Sequence, residues 1–99
     1  MSDTMIKDTG TFATPNASKY LQQLCKHFGH KVEARCDETS GEVALGTGPA
    51  VMAAEPELLT IVVHAPDADG LAVARDVIDR HLERFAFREE FANMDWQGA

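Results

Sequence analysis

No stretch of this 99-residue chain comes near the roughly 20 consecutive apolar residues that a membrane-spanning helix needs. The first ten residues, MSDTMIKDTG, hold neither a basic cluster nor an apolar run, so no secretory signal is expected there and the expected compartment is the cytoplasm. Cysteine is scarce. Cys25 and Cys36 are the only two, they form no CxxC pair, and in a reducing compartment they are expected to stay unpaired. HExxH is absent as well, so both strong zinc signatures are missing. Positive charge is in short supply: nine Lys and Arg stand against 16 Asp and Glu, a net charge of -7. Residues 32 to 70 carry eight acids and one base, Arg35, whereas residues 16 to 31 carry three lysines and no acid. A surface of that kind repels a phosphate backbone over most of its extent, which argues against a nucleic-acid partner. Repeats, low-complexity tracts and linkers are also lacking, which leaves a single domain.

What remains is a composition able to fold, with 44% hydrophobic and 25% charged residues. Residues 1–8 are expected to form a flexible N-terminus, 9–96 the domain and 97–99 a tail, with a first strand within Met5 to Thr14. TPNAS then reads as a helix start, with Thr14 as N-cap and Pro15 at the first helical position. Ala17, Tyr20, Leu21, Leu24 and Phe28 recur at spacings of three and four, one buried stripe, and Gly29 offers a left-handed stop. The period then falls to two: Val32, Ala34 and Cys36 alternate with Glu33, Arg35 and Asp37. Val43 and Leu45 continue this beyond a turn at ETSGE, AVMAA is a weaker strand, and ELLTIVVHA is the strongest. PDADG opens a second helix, whose inner stripe is Leu71, Ala74, Ile78, His81, Leu82 and Phe85. Its outer face pairs Arg75 with Asp79 and Asp76 with Arg80 at four-residue spacing. FAFREEFANMDW either ends that helix or begins an edge strand. The expected fold is α+β, a two-layer sandwich with an antiparallel sheet and two helices on one face, in the order β-α-β-β-β-β-α.

The chemistry-bearing residues cluster in LCKHFGHK, from Leu24 to Lys31. Positions two apart on a helix point about 160° away from each other, so Cys25 and His27 are not expected to share a metal or act as nucleophile and base. His27 and His30 are three apart and within reach of each other; they also complement the negative end of the helix dipole, with Lys26 and Lys31. His81 lies on the apolar side of its helix and needs a hydrogen-bond partner if buried. His64 belongs on the outer face of the sheet. The cysteines read as small buried hydrophobes, Trp96 as a core plug, and Arg80, Arg84 and Arg88 as part of an exposed face of mixed charge, the alternative being an anion-binding stripe.

YLQQLCKHFGHK (Tyr20 to Lys31) and HLERFAFREE (His81 to Glu90) resemble a bacterial family known as domain of unknown function 2218, over nearly the whole chain after the first eight residues. The resemblance implies a small stand-alone bacterial domain, some of whose relatives are joined to or lie beside siderophore-interacting and iron-transport proteins. It implies no reaction, ligand or catalytic residue. The expectation is therefore a non-enzymatic accessory domain binding a small molecule or a protein, with Arg84 and Arg88 as candidate ligand-binding residues. The alternative is a domain holding a divalent transition metal through His27, His30 and His81, with hydrolytic or redox chemistry.

Overall fold

Alternation and helical stripes in the sequence become nine elements in the computed structural model, which describes residues 5–89, 91 and 93–98. In chain order these are β1 (Ile6–Ala13), α1 (Ala17–Phe28), β2 (Ala34–Cys36), β3 (Ser40–Leu45), β4 (Gly48–Glu55), β5 (Leu58–Ala65), α2 (Ala68–Phe85), a 3-10 turn (Phe87–Glu89) and β6 (Asp95–Trp96). The strands form one antiparallel sheet in the order β2-β3-β4-β5-β1-β6. Both helices cover one face of it: α1 lies over β2, β3 and β4, and α2 over β5 and β1. The strand pattern carries this arrangement. Leu59, Ile61, Val63 and Ala65 of β5 are buried, while Leu58, Thr60, Val62 and His64 between them are half-exposed. Ala17, Tyr20, Leu21, Leu24 and Phe28 of α1 pack onto the inner row, as do Leu71, Ala74, Ile78 and Leu82 of α2. Burying a side chain of that size contributes roughly 1.5–3 kcal/mol. No helix among the described residues is long and apolar enough to cross a membrane.

Several local expectations are corrected. The sheet already takes in Ile6, Lys7 and Asp8, paired with Ala65, His64 and Val63, so the folded body begins before residue 9. Residues 1–4 of the expected flexible segment lie outside the described residues. Asp8 hides this start, because a buried carboxylate at an inward strand position interrupts the apolar alternation. It is only 2% exposed, and it accepts from the Arg75 guanidinium (3.2 Å), Thr9 N (2.8 Å) and Gly98 N (2.9 Å). Arg75 therefore does not pair with Asp79. Asp79 instead accepts from Met94 N at 2.9 Å and Trp96 Nε1 at 3.0 Å, while the exposed Asp76–Arg80 pair forms at 3.4 Å. Gln97 N reaches Thr9 O at 2.9 Å, which joins the described part of the expected C-terminal tail to β1.

Helix α1 starts at Ala17, with Asn16 and not Thr14 at its cap, and Pro15 lies in the turn before it. Thr14 is buried, accepts from Asn16 N at 3.0 Å and donates to Glu89 at 2.7 Å. Gly29 is right-handed, at φ -60°, and the chain leaves the helix through a further turn. Cys36 is exposed because β2 is a three-residue edge strand that α1 overlaps only in part. His64 is half-buried and its Nδ1 lies 2.8 Å from Pro49 O. The chain past Phe85 resolves the open choice in both directions: the helix ends, and a two-residue strand closes the sheet beside β1.

Candidate functional site: a histidine pair between the helices

The last turn of α1 brings His27 to the flank facing α2, while Phe28 enters the core. From α2, His81 and Phe85 come up to the same place. The His27 and His81 ring centroids are 4.8 Å apart, and His81 is also 4.8 Å from Phe28. Phe85 completes the wall at 6.1 Å from His27. Both imidazoles are half-buried, so each has an apolar floor and an open edge. His81 Nδ1 lies 2.6 Å from Val77 O. A carbonyl only accepts, so Nδ1 carries the hydrogen, and in the neutral ring the Nε2 lone pair is left for another partner.

Charge gathers around this pair. Partial burial holds the His27 imidazole below its ordinary value of 6.5, and the positive charges of His81, Arg84, Lys31 and His30 add to the effect in that order. His81 and Arg84 also line a shallow depression with Arg80 and Glu83. In a chain of net charge -7, the crossing of the two helices is thus a cationic spot beside two aromatic walls.

The structure brings together only part of the set expected from sequence. His27 meets His81 and not His30. His30 is exposed in the turn after α1 and lines a separate groove with Cys25, Lys26, Gly29, Ala34, Arg35 and Cys36. Arg84 is near the pair. Arg88 is not on the expected stripe, because α2 stops at Phe85; Arg88 sits in the 3-10 turn with its guanidinium 5.7 Å from the Phe87 ring centre. Cys25 is buried on the β2 side of α1, away from His27. Among the described residues no group of three or more His, Cys, Asp and Glu is placed to hold a metal ion. Two imidazole nitrogens are the most this pair offers a metal, and the other positions would fall to solvent or to a ligand.

Sequence reading missed a second polar centre. Glu89 accepts from Thr14 Oγ1 (2.7 Å), Asn16 Nδ2 (3.0 Å) and the Tyr20 hydroxyl. These bonds, led by the Tyr20 bond, hold the Glu89 carboxyl below its usual value. Burial first, and Glu89 second, push the Tyr20 phenol up to about 12. The centre pins the turn after α2 to the start of α1. Its partners lie 69 to 75 residues apart in the chain, so no local spacing announces it.

The architecture recurs in a solved protein. The NMR structure of PA4090 from Pseudomonas aeruginosa is 32% identical and superposes with a TM-score of 0.76, covering 92% of this chain and 94% of that one. No curated protein matches the sequence. The family model described as "Uncharacterized protein conserved in bacteria (DUF2218)" matches residues 9–97, and the chain belongs to that family.

Proposed function

We propose that this chain is a non-enzymatic binding module that takes a small anionic ligand at the helix crossing. The observation that carries the reading is the approach of His27 to His81 within reach of the charges of Arg84 and Lys31. Like charges held together destabilise a fold, by about 1 kcal/mol for a fully solvated pair at 4 Å and more where solvent is displaced. An anion on the open edge of the pair reverses the sign of that energy, and the Phe28 and Phe85 rings offer an apolar surface to its carbon skeleton. No nucleophile with its base is invoked, so binding without turnover is the expected behaviour. The iron-transport setting implied by the family resemblance makes a multivalent carboxylate, free or carrying ferric iron, the first ligand class to test.

The test is a citrate and ferric-citrate titration followed through the imidazole proton resonances at two pH values. Binding should shift His27 and His81, strengthen as the pH falls through the lowered His27 value, where that imidazole gains its charge, and disappear in His27→Ala and Arg84→Ala. Equal affinity in those variants, or no shift with either ligand, removes the reading.

A second reading rests on the free Nε2 of His81 beside His27: a transition ion, zinc, copper, iron or nickel, held by two imidazoles. Its pH dependence has the opposite sign, because protons compete with the metal and binding weakens as pH falls. His30→Ala should leave such a site unchanged.

A further inference from the structure

We infer that Cys25 and Cys36 form a reversible thiol–disulfide site, oxidised by a hydroperoxide, in which Cys36 reacts first and Cys25 resolves it. The cysteines are eleven residues apart in sequence on different elements, α1 and β2, and packing brings them to one place. Both line the same open groove. The Cβ of Cys36 sits above Gly41 of β3, where a Cβ added to that glycine would meet it at 3.0 Å and the Leu21 Cδ2 at 3.3 Å. Leu21 is one turn before Cys25 on α1, so Cys36 lies against the helix face that carries the second sulfur. Cys36 adds to the upward push on the Cys25 thiol, second to burial. A side chain at Gly41 would crowd the Cys36 Cβ, Met52 and Leu21 at this point.

The two sulfurs differ in a way that orders the chemistry. Cys36 is exposed and meets an oxidant directly, whereas Cys25 is only 4% exposed and its thiol is pushed up to about 12, chiefly by burial. The Cys36 thiolate attacks one peroxide oxygen and breaks the O–O bond. The leaving hydroxide or alkoxide takes a proton, and Cys36 becomes a sulfenic acid. Cys25 then gives up its proton as its sulfur attacks the Cys36 sulfur. The S–O bond breaks, and the hydroxyl leaves with that proton as water. With hydrogen peroxide the sum is two thiols and one peroxide giving one disulfide and two waters. A dithiol reductant reverses it. The bond would tie the edge strand β2 to α1 and change the groove that also holds Lys26 and His30.

The experiment uses the full chain, reduced and then treated with one equivalent of hydrogen peroxide, with thiol counting and intact mass as readouts. Both thiols should disappear together, no disulfide should link two chains, each chain should become two hydrogens lighter, and dithiothreitol should restore both. In Cys25→Ser the reaction should stop at a Cys36 sulfenic acid that dimedone traps, and in Cys36→Ser the remaining thiol should react at least tenfold more slowly than wild type. The inference is overturned if wild type keeps a countable thiol, accumulates a dimedone adduct, or is oxidised to an intermolecular dimer. The wild-type arm decides the matter even if a variant fails to fold.

Discussion

Replacing Gly10 with alanine should detach the C-terminal strand, and the size of the effect follows from three distances. Gly10 is buried in β1 between Ile61 of β5 and Trp96 of β6. A Cβ at Gly10 would lie 2.7 Å from Trp96 Cε3, 2.8 Å from Cζ3 and 3.0 Å from Cδ2. Carbon atoms settle at about 3.5–4.0 Å, so the indole must retreat by roughly 0.8 Å or swing away. Its Nε1–H is now 3.0 Å from Asp79, and such a shift takes it out of hydrogen-bonding range. Loss of a bond to a charged acceptor costs roughly 1.5–3 kcal/mol, and overpacking costs about 1–3 kcal/mol. The two overlap, because the ring either strains or lets go, so the expected loss is about 2–4 kcal/mol. Urea unfolding monitored by far-UV circular dichroism reads this directly. The deciding comparison is Gly10→Ala/Trp96→Ala. Without the indole the three closest contacts of the added methyl are gone, so the double variant should be no less stable than Trp96→Ala alone. Additive losses, or a Gly10→Ala variant within about 0.5 kcal/mol of wild type, would refute the reasoning.

The acids that hold distant segments should give the chain a pH dependence of mixed sign. Glu89 has its folded value lowered from 4.5, so its contribution is complete above that pH and is lost as pH falls through the lowered value; Glu89→Gln should cost about 1–2 kcal/mol at pH 7 after solvent screening and remove that part of the acid slope. Asp79 runs the other way: burial raises its folded value from 3.8, so its ionisation lowers stability as pH rises through the raised value, and comparing the pH–stability curves of wild type and Asp79→Asn between pH 3 and 6 isolates this term. The single tyrosine should ionise near 12 in an ultraviolet titration, and Glu89→Gln should lower that midpoint while leaving it above 10, because burial is the larger cause. The His27 imidazole should titrate below 6.5 by NMR and move up in Arg84→Ala; its contribution to stability is complete above 6.5 and falls as the pH drops toward the lowered folded value.

The elements a reader can find in this sequence are those whose periodicity is local. The α1 stripe from Ala17 to Phe28 and the inner row Leu59, Ile61 and Val63 of β5 are buried as spacing alone predicts. Cys36 escaped because exposure of an inward-reading strand position depends on where the strand stands in the sheet, and β2 is at the edge. Thr14 escaped because a half-buried carboxylate acceptor 75 residues away competes with the nearest capping position. Strand β6 has two residues and no period to detect. At the helix crossing, His27 and His81 were each visible as candidates, but which imidazole meets which is set by the approach of α2 to α1 and not by spacing within either helix. His30 and Arg88 were lost from the group for one shared reason: each sits just past the end of its helix, where helical spacing stops being a guide to direction.

The position of β1 has a consequence during synthesis. Its neighbour across the main ladder is β5, and the register joins Ile6 to Ala65, so β1 has no hydrogen-bonded partner on that side until the ribosome has produced residues 58–65. Its other neighbour, β6, arrives last of all. The nascent chain must therefore carry β1 unpaired while the residues from β1 to β5 are made, and the polar residues Lys7, Asp8, Thr9 and Thr11 within it are suited to keeping that waiting segment from annealing to another chain.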